Sequence, residues 1–451
     1  MENKKVKITV SVLLAIAIAA FAFVAGFFTE RCAADRAVAS YEWGLKTIKD
    51  NYYFCEPDET FTETSLKTIA EKYLDQYSEY YTKEEYAEVM KSNEGSKSGI
   101  GISYSFVDGR GVYISKVVGN SPAYGRNTKD AEKGLRSGEW IKSGSLENQN
   151  EVQFTTSQKF SDFISSAADG VKINLTAEDG TVYTMSKAQY TASYTSFSTS
   201  STGWTFHDSA TGGLALYEEA NLGMPYLPDG CAYLRLDQFY GTATKEFYSL
   251  IEKFNAMNCT SLILDLRSNG GGYVSVMQDI AGAFADGKSK LAMLSRDKKG
   301  REEKYDCKKI SDSKKRVSKD VKVFVLANAG TASASEALIG AMVCYGALEY
   351  ENIFLSQYSD EYISWRYKNE TVKNAQTYGK GIMQTPFTNY RTGEVLKLTT
   401  AKIYWPDKVT SIHDRGVTVK DDKCTAVPAE WEWTKGDDEL KAAVEMIKTR
   451  L

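Results

Sequence analysis

The amino-acid sequence predicts a mixed α/β protein of several domains that is held at a membrane by one N-terminal helix. Three observations carry this prediction. An uncharged apolar run covers residues 8–28, short alternating runs with glycine turns fill residues 95–190, and a strand–helix–strand pattern begins near residue 229. The length of 451 residues is sufficient for about three domains of ordinary size.

The overall composition excludes several classes of protein. Hydrophobic residues make up 42% and charged residues 25% of the chain, which is ordinary globular usage and argues against disorder or many membrane spans. The net charge of −4 gives no electrostatic reason to expect nucleic acid as a partner. Only two histidines are present, and no two cysteines form a C-x-x-C pair, so a histidine-rich metal site and a zinc ribbon are both excluded.

The N-terminal run predicts the location of the protein. As a helix, the 21 residues 8–28 would span about 31 Å, which matches the hydrocarbon core of a bilayer. Lysines precede the run, so residues 1–7 are expected to be a cytoplasmic tail and the rest of the chain to lie outside the cytoplasm. A cleaved signal peptide is the alternative. The length of the run and the lack of a convincing cleavage site after it favour a retained anchor.

The segment 36–94 is predicted to be helical. Apolar residues recur at helical spacing in a first helix over 36–54 and a second over about 62–77. Thr82 and Glu85 have the spacing of a capping box that opens a third helix.

The next two segments have a different texture. Alternating apolar residues and two Asp-Gly turns predict a small β-rich domain with one or two helices over residues 95–190. Residues 191–228 begin with a run rich in Ser, Thr and Gly, which is typical of a linker or of an inserted hairpin.

Residues 229–451 are predicted to form an α/β core that ends in an amphipathic helix. Apolar strands are expected over 232–236, 262–266 and 321–327, with helices between them, so the strands are expected to be parallel. Ligand sites of such sheets form where the strands end.

Two turns at predicted strand ends contain residues suited to chemistry. The turn Asn269–Gly272 would bring backbone N–H groups close to a ligand, or would only be a tight connection. The second turn places Ser333 and Ser335 at the start of a helix. Ser333 and Glu336 also fit a capping box, which is the simpler role for this serine.

A nucleophilic serine needs a base, and lysine is the alternative to the scarce histidines. Lys380 lies between two glycines and is followed by Gln384. The pKa of a lysine must be lowered by about 2 to 3 from its ordinary value near 10.4, at a cost of roughly 3–4 kcal/mol, and burial away from acidic groups can do this. Most lysines are solvated surface residues.

Five motifs in order give these residues a family context: YSEYYTKEEY (77–86), SGIG (98–101), DLRSNGGG (265–272), GTASASE (330–336) and GKGIMQ (379–384). Together they resemble the carboxyl-terminal processing peptidases, also called tail-specific proteases. The resemblance covers nearly everything after residue 28. It implies a PDZ-like domain at 95–190 and a ClpP/crotonase-like peptidase core at 229–451.

The resemblance also implies a role for individual residues. Ser333 corresponds to the nucleophile, Lys380 to the general base, and Gln384 to the residue that orients the lysine. The N–H groups of Gly271 and Ala334 would form the oxyanion hole, with Gly272 as the alternative to Gly271. The PDZ-like domain would bind a chain-terminal carboxylate through its carboxylate loop, which is Ser98, Gly99, Ile100 and Gly101.

The chain departs from the family pattern at several points. Ser333 and Lys380 are 47 positions apart, about twice the usual separation, and the additional segment within 349–377 would be a lid or an exposed decoration. The family turn Asn-Pro-Gly-Gly is Asn-Gly-Gly-Gly here, and Val419 replaces a proline. These departures indicate a divergent branch.

The sequence therefore predicts a single-pass bacterial membrane protein with an extracytoplasmic serine endopeptidase. It would capture C-terminal tails of protein or peptide substrates and cleave them with a Ser–Lys dyad, without metal or cofactor. A homo-oligomer is left open. One alternative is an inactive, PDZ-bearing scaffold that binds peptides. Another is an acyl-CoA hydratase-like enzyme, although such enzymes lack a Ser–Lys pair.

Overall fold

The computed structural model describes residues 36–56, 60–61, 65–124, 134–135, 138–208, 213–216, 226–360, 363, 373–429 and 437–451. The chain forms two compact units. One contains residues 1–87 and 384–401, and the other contains residues 88–383 and 402–451. Over the described ranges, no helix is both long and apolar enough to cross a membrane. The run 8–28, predicted as a membrane helix, lies outside these ranges.

Strands outnumber helices among the described residues. The helices are α1 (36–51), α2 (Leu66–Tyr73), α3 (Lys83–Asn93), α4 (Ser157–Ser166), α5 (Ala243–Ala256), α6 (Val274–Gly282), α7 (Ala334–Tyr345), α8 (Val419–Asp422) and α9 (Asp438–Lys448). The first strands are β1 (Glu79–Tyr81), β2 (Ser96–Gly99), β3 (Ile102–Val107), β4 (Gly111–Val117), β5 (Trp140–Leu146), β6 (Val152–Gln153), β7 (Lys172–Ala177), β8 (Val182–Ser186), β9 (Ala188–Thr191), β10 (Thr195–Thr199), β11 (Gly203–Asp208) and β12 (Gly213–Leu216). The remaining strands are β13 (Cys231–Leu236), β14 (Ser261–Asp265), β15 (Leu291–Asp297), β16 (Glu302–Asp306), β17 (Lys322–Ala327), β18 (Ile353–Tyr358), β19 (Ile382–Thr388), β20 (Val395–Tyr404) and β21 (Thr425–Ala429).

The centre of the larger unit is an eight-stranded sheet with the order β12-β11-β10-β13-β14-β17-β18-β21. The five strands from β13 to β21 are parallel, whereas β10, β11 and β12 join antiparallel. All five residues of β14 are buried, because helices cover both faces of the sheet. The predicted parallel α/β core is therefore present, and the fold class is mixed α/β.

The two faces of this sheet are covered differently. Residues of α5, α6 and α7 form one apolar layer, in which Leu262 and Leu264 point from β14. The opposite face carries Ile263 of β14 and the C-terminal helix α9, which contributes Leu440 and Val444. Alternate residues of β14 thus enter opposite layers, as the period of a strand requires.

A second sheet forms most of the predicted β-rich domain. Its order is β3-β4-β5-β7-β8, and β6 pairs with β5. Helix α4 contributes Phe160 and Phe163 to its apolar cluster. Strands β2 and β9 pair antiparallel where the chain enters and leaves this region, with Ser98 opposite Gln189. These two strands form the root of the β-rich domain.

The smaller unit combines distant parts of the chain. Ile48 of α1 and Ile69 of α2 pack with Leu396 and Leu398 of β20. Strand β1 pairs antiparallel with the beginning of β20, and β19 also pairs with β20. Thr82 and Glu85 exchange hydrogen bonds at 3.2 and 2.8 Å, so the predicted capping box of α3 is confirmed.

Two segments contain strands of the central sheet. The range 191–228, predicted as a linker or an inserted hairpin, contains β10, β11 and β12, and β10 and β11 form an antiparallel hairpin. The range 349–377, predicted as a lid or an exposed decoration, begins with the core strand β18. The polar and aromatic composition of both ranges did not predict how these strands pair with distant partners in the central sheet.

Candidate active site

The site is formed by two turns that follow neighbouring parallel strands. The glycine turn (268–272) follows β14, and the serine turn (328–333) follows β17. Because parallel neighbours end at the same edge of a sheet, the two turns meet. Thr331 Oγ1 donates to the carbonyl of Leu266 at 2.8 Å, which joins the serine turn to the end of β14.

Asn269 connects the two turns from a fully buried position. Its side-chain amide donates to the carbonyl of Leu236 at 2.8 Å, and its Oδ1 accepts the N–H of Gly271 at 3.0 Å. Its own carbonyl accepts the N–H of Ala332 at 3.0 Å and Ser335 Oγ at 2.9 Å. One asparagine therefore fixes both the glycine turn and the start of α7.

Gly271 lies against the predicted nucleophile. A Cβ atom at this position would be 2.8 Å from the Cβ of Ser333 and 2.9 Å from the backbone nitrogen of Ala334. The φ angle of Gly271 is +99°, a conformation that L side chains rarely adopt. Space and backbone conformation both require glycine here.

Ser333 and Ser335, the two serines weighed in the sequence, have different environments. Ser333 is half-buried and has φ 57° and ψ −115°, a sparsely populated conformation for a residue with a side chain. Helix α7 begins at the next residue, Ala334, whose N–H has no acceptor within the helix. Ser335 is fully buried, and its hydroxyl is used by Asn269. Exposure and backbone strain favour Ser333 as the nucleophile.

Glu336 is fully buried and accepts hydrogen bonds from two parts of the site. Its Oε2 accepts the N–H of Ser333 at 2.9 Å and the N–H of Lys380 at 3.0 Å. Its Oε1 accepts Thr377 Oγ1 at 2.5 Å and the N–H of Gly379 at 2.7 Å. This carboxylate therefore holds the backbone of the predicted nucleophile and of the predicted base together.

The electrostatics of Glu336 follow from its burial. Desolvation raises the pKa of the Glu336 carboxyl above its ordinary value, and the four hydrogen bonds, led by that from Thr377, oppose this rise. The serine and lysine segments would lose an acceptor if the carboxyl took up a proton. The sequence predicted Glu336 only as a helix cap, because its second set of partners lies more than 40 positions further along the chain.

The lysine segment (377–381) is held both by the serine turn and by residues 412–417. The N–H of Tyr378 donates to the carbonyl of Thr331 at 2.9 Å, and the N–H of Asp414 donates to the carbonyl of Gly379 at 2.9 Å. A Cβ on Gly381 would come within 2.5 Å of the backbone nitrogen of His413. The half-buried Lys380 therefore lies in a segment fixed at several points.

A set of contacts, called the clamp below, holds the upstream end of this segment. It consists of the hydrogen bonds between Tyr358 and Asn374 and the contacts of Lys373 with Tyr378. The N–H of Tyr358 donates to the side-chain oxygen of Asn374 at 2.9 Å, and the Asn374 amide returns a hydrogen bond to the carbonyl of Tyr358 at 2.9 Å. Lys373 donates to the carbonyl of Tyr378, and its Nζ lies 4.7 Å from the centre of the Tyr378 ring. The clamp joins the end of β18 to the start of the lysine segment.

Gln384, the predicted orienting residue, lies in the smaller unit. Its Nε2 donates to Thr399 Oγ1 at 3.0 Å. Its role toward Lys380 stays a prediction.

The predicted carboxylate loop lies at the end of β2. The carbonyl of Ile100 accepts the N–H of Ala123 at 2.9 Å, and the carbonyl of Gly101 accepts the N–H of Val118 at 2.9 Å. A Cβ on Gly101 would be 2.0 Å from the Cβ of Ser121, so only glycine fits. These bonds fix the path of the loop through its carbonyl groups, and its role in tail binding stays a prediction.

A buried charge cluster lies next to the glycine turn, at the residues that precede it. Arg267 Nη2 contacts Asp265 at 2.7 Å and Asp437 at 2.6 Å, and Arg267 Nη1 lies 3.3 Å from Glu439. Burial raises the pKa of Asp265, but the guanidinium groups of Arg267 and Arg235 outweigh it, so this pKa lies well below its ordinary value. The cluster ties the start of α9 to the residues that precede Asn269.

Comparisons with known proteins identify a peptidase region that includes both turns. Residues 230–347, which contain both turns, match Peptidase family S41. A probable CtpA-like serine protease of Staphylococcus saprophyticus is 25% identical over 91% of the chain, and one of Staphylococcus haemolyticus is 23% identical over 84%. The chain spans 70% and 63% of the lengths of these two relatives.

A solved structure shares the fold. A putative S41 protease from Bacteroides fragilis aligns over 91% of this chain and 97% of its own, with a TM-score of 0.56 and 15% identity. The sequence similarities support a serine-type peptidase. The match to Peptidase family S41 covers residues 230–347, and it agrees with the resemblance of the five motifs to the C-terminal processing peptidases.

Proposed function

We propose that this peptidase is a membrane-anchored, extracytoplasmic endopeptidase that captures C-terminal tails and cleaves them with a Ser333–Lys380 dyad. The observation that carries the proposal is the shared carboxylate of Glu336, whose Oε2 accepts the N–H groups of both residues. A nucleophile and a base that act together must be held in a fixed relation, and this carboxylate connects their backbones directly.

The first chemical step forms the acyl-enzyme. Neutral Lys380 removes the proton of the Ser333 hydroxyl while the Ser333 oxygen attacks the peptide carbonyl carbon. The resulting tetrahedral oxyanion collapses, the peptide C–N bond breaks, and the protonated lysine gives its proton to the leaving amine. Water then attacks the ester with Lys380 again as the base, which releases the new carboxylate and restores the serine.

The oxyanion is assigned to two backbone donors, Gly271 and Ala334. Both lie beside Ser333, and the N–H of Ala334 is at the start of a helix, where the dipole favours negative charge. The N–H of Gly271 donates to Asn269 Oδ1 in this structure, so the oxyanion would share or replace that acceptor. Gly272 is the alternative donor within the same turn. Such a donor contributes about 3–4 kcal/mol in comparable sites.

Tail capture is assigned to the carboxylate loop 98–101 of the PDZ-like domain. Free N–H groups in such a loop bind a terminal carboxylate, and the adjacent strand β3 would pair with an extended peptide. The expected partners are proteins or peptides with an exposed, unstructured C-terminal tail. Neither metal nor cofactor takes part in these steps.

The membrane location rests on the sequence of residues 1–28. The lysines before the uncharged run predict a cytoplasmic N-terminus and an extracytoplasmic peptidase. The full chain should stay with membranes after alkaline extraction, and a chain that begins at residue 33 should be released. Release of both chains would contradict the anchor and favour a cleaved signal peptide.

Cleavage of an unfolded protein tests the activity. The full chain in detergent is incubated with β-casein beside the variants Ser333→Ala and Lys380→Ala, and cleavage is followed on a gel. We expect cleavage by the parent alone. Equal cleavage by all three would contradict the dyad, and cleavage by none would favour the peptide-binding scaffold.

A further inference from the structure

The glycine turn is held by more than Asn269. The N–H of Phe239 donates to the carbonyl of Gly271 at 3.0 Å, and the N–H of Tyr273 donates to the carbonyl of Phe239 at 2.9 Å. A Cβ on Gly272 would be 2.5 Å from the oxygen of Phe239. The backbone on both sides of Gly272 is therefore bound to one residue, and Tyr273 is the first side chain after the turn.

The side chain of Tyr273 reaches the end of helix α3. Its Oη accepts the amide of Asn93 at 3.2 Å and donates to the sulfur of Met90 at 3.5 Å. Its ring packs edge-on against Tyr240, with the ring centres 4.9 Å apart. The half-buried phenol thus connects the turn beside Ser333 to residues that precede the β-rich domain.

The same end of α3 carries the root of the β-rich domain. The carbonyl of Asn93 accepts the hydroxyl of Tyr194 at 3.3 Å, and the carbonyl of Gly95 accepts the N–H of Ala192 at 3.0 Å. The chain that returns from the domain is fixed by the fully buried Glu246, whose Oε2 accepts the N–H of Tyr194 at 2.9 Å. Strand β2, which leads to the carboxylate loop, begins three residues after Asn93.

We propose that Tyr273 is a positioning residue for the oxyanion hole, and that its hydroxyl sets the turn 271–272 against the end of α3. This inference rests on the proposed function, because it gives the turn its catalytic meaning. Tyr273 follows Gly271 by two residues, and Phe239 binds the backbone of both, so a loosened phenol would displace the turn that carries the assigned donor Gly271. Displacements of about 1 Å at a reacting centre can lower rates by about 100-fold.

The test compares two half-buried phenols in the full chain. Tyr273→Phe removes only the hydroxyl that contacts Asn93 and Met90. Tyr248→Phe is the matched control, because the Tyr248 hydroxyl donates to the carbonyl of Asp279 on α6. The readouts are kcat and KM for a fluorogenic peptide derived from casein, the rate of labelling of Ser333 by a fluorophosphonate, and the denaturation midpoint.

We expect Tyr273→Phe to lower kcat and the labelling rate by about 5- to 10-fold, with KM changed less than about twofold. Tyr248→Phe should leave both rates unchanged while shifting the denaturation midpoint by a comparable amount. Asn93→Ala should reproduce the kcat loss, and its combination with Tyr273→Phe should add little because the two variants remove one contact.

Two outcomes would overturn the inference and leave the proposed function intact. One is an active parent with an equally active Tyr273→Phe variant, and the other is an equal loss of kcat in Tyr248→Phe. A parent that neither cleaves the peptide nor is labelled at Ser333 would instead overturn the proposed function together with the inference.

Discussion

Ser333 and Lys380 donate their backbone N–H groups to the same oxygen, Oε2 of Glu336, at 2.9 and 3.0 Å. The two residues are 47 positions apart in the sequence, and strand β18 and the excursion after it lie between them. The shared oxygen of Glu336 therefore joins the serine turn to the lysine segment in spite of the long connection between them.

Glu336→Gln should weaken both stability and catalysis. The amide has only one acceptor oxygen, so its NH₂ group must face two of the four donors that surround Glu336. We expect a loss of about 2–4 kcal/mol in the free energy of unfolding and at least a 10-fold lower kcat. Denaturation and peptide cleavage measure the two effects. The exposed residue Glu349 supplies the control Glu349→Gln, and equal behaviour of both variants would contradict the role of the shared oxygen.

The two serines of the helix start should respond in opposite ways. Ser333→Ala should abolish cleavage without loss of stability, because its hydroxyl is assigned to the chemistry. Ser335→Ala should cost about 1 kcal/mol of stability, because the backbone carbonyl of Asn269 loses the Ser335 hydroxyl as a donor but keeps the N–H of Ala332. Its kcat should fall less than about 10-fold. A fully inactive but stable Ser335→Ala would point to Ser335 as the nucleophile.

The glycine turn contains its own control. Gly271→Ala places a methyl group against Ser333 and strains a backbone with φ +99°, so kcat/KM should fall by about 100-fold or more. A Cβ on Gly270 would have no atom within 4 Å, and the same substitution there should change kcat/KM less than about threefold. Steady-state cleavage of one peptide measures both. Comparable losses would show that the turn tolerates no side chain for reasons unrelated to Ser333.

The charge cluster predicts how stability depends on pH. The folded pKa of Asp265 lies below the unfolded value near 3.9, because Arg267 and Arg235 outweigh the effect of burial. Its stabilising contribution is therefore present above about pH 4 and is lost as the pH falls below that value. Burial raises the pKa of Glu439, so that residue contributes in the opposite sense at higher pH.

Urea denaturation of the parent and of Asp265→Asn between pH 3 and 6 measures this dependence. The parent should lose more stability than the variant between pH 4 and 3, and the two curves should run parallel above pH 5. Arg267→Met should cost about 3–5 kcal/mol at neutral pH, because it removes the cation of Glu439 and leaves the buried Asp265 with Arg235 alone. An identical acid dependence of parent and Asp265→Asn would contradict the assignment.

The sequence predicted those features that depend on local patterns. Apolar runs located the parallel strands, and Thr82 and Glu85 located the start of α3. Glycine and serine patterns located both turns of the site. All of these features depend on apolar periodicity, turns or helix caps, which involve residues within about ten positions of one another.

The remaining features depend on contacts between distant residues. Residues 384–401 join α1 and α2 in the smaller unit, although more than 300 positions separate them. The strands in 195–216 have a composition typical of a linker and are defined by their pairing with β13. Asn269, Thr377 and Tyr273 gain their roles from partners in other elements. The spacing of residues within the sequence does not indicate such partners.

Labelling of the full chain with a fluorophosphonate, followed by mass spectrometry of the modified peptide, identifies the nucleophile and measures its dependence on the lysine. We expect one modified residue, Ser333, with labelling that is lost in Ser333→Ala and strongly slowed in Lys380→Ala. The control Lys299→Ala, at an exposed lysine between β15 and β16, should be labelled at the parent rate. Labelling at another residue, or undiminished labelling of Ser333 in Lys380→Ala, would contradict a Ser333–Lys380 dyad.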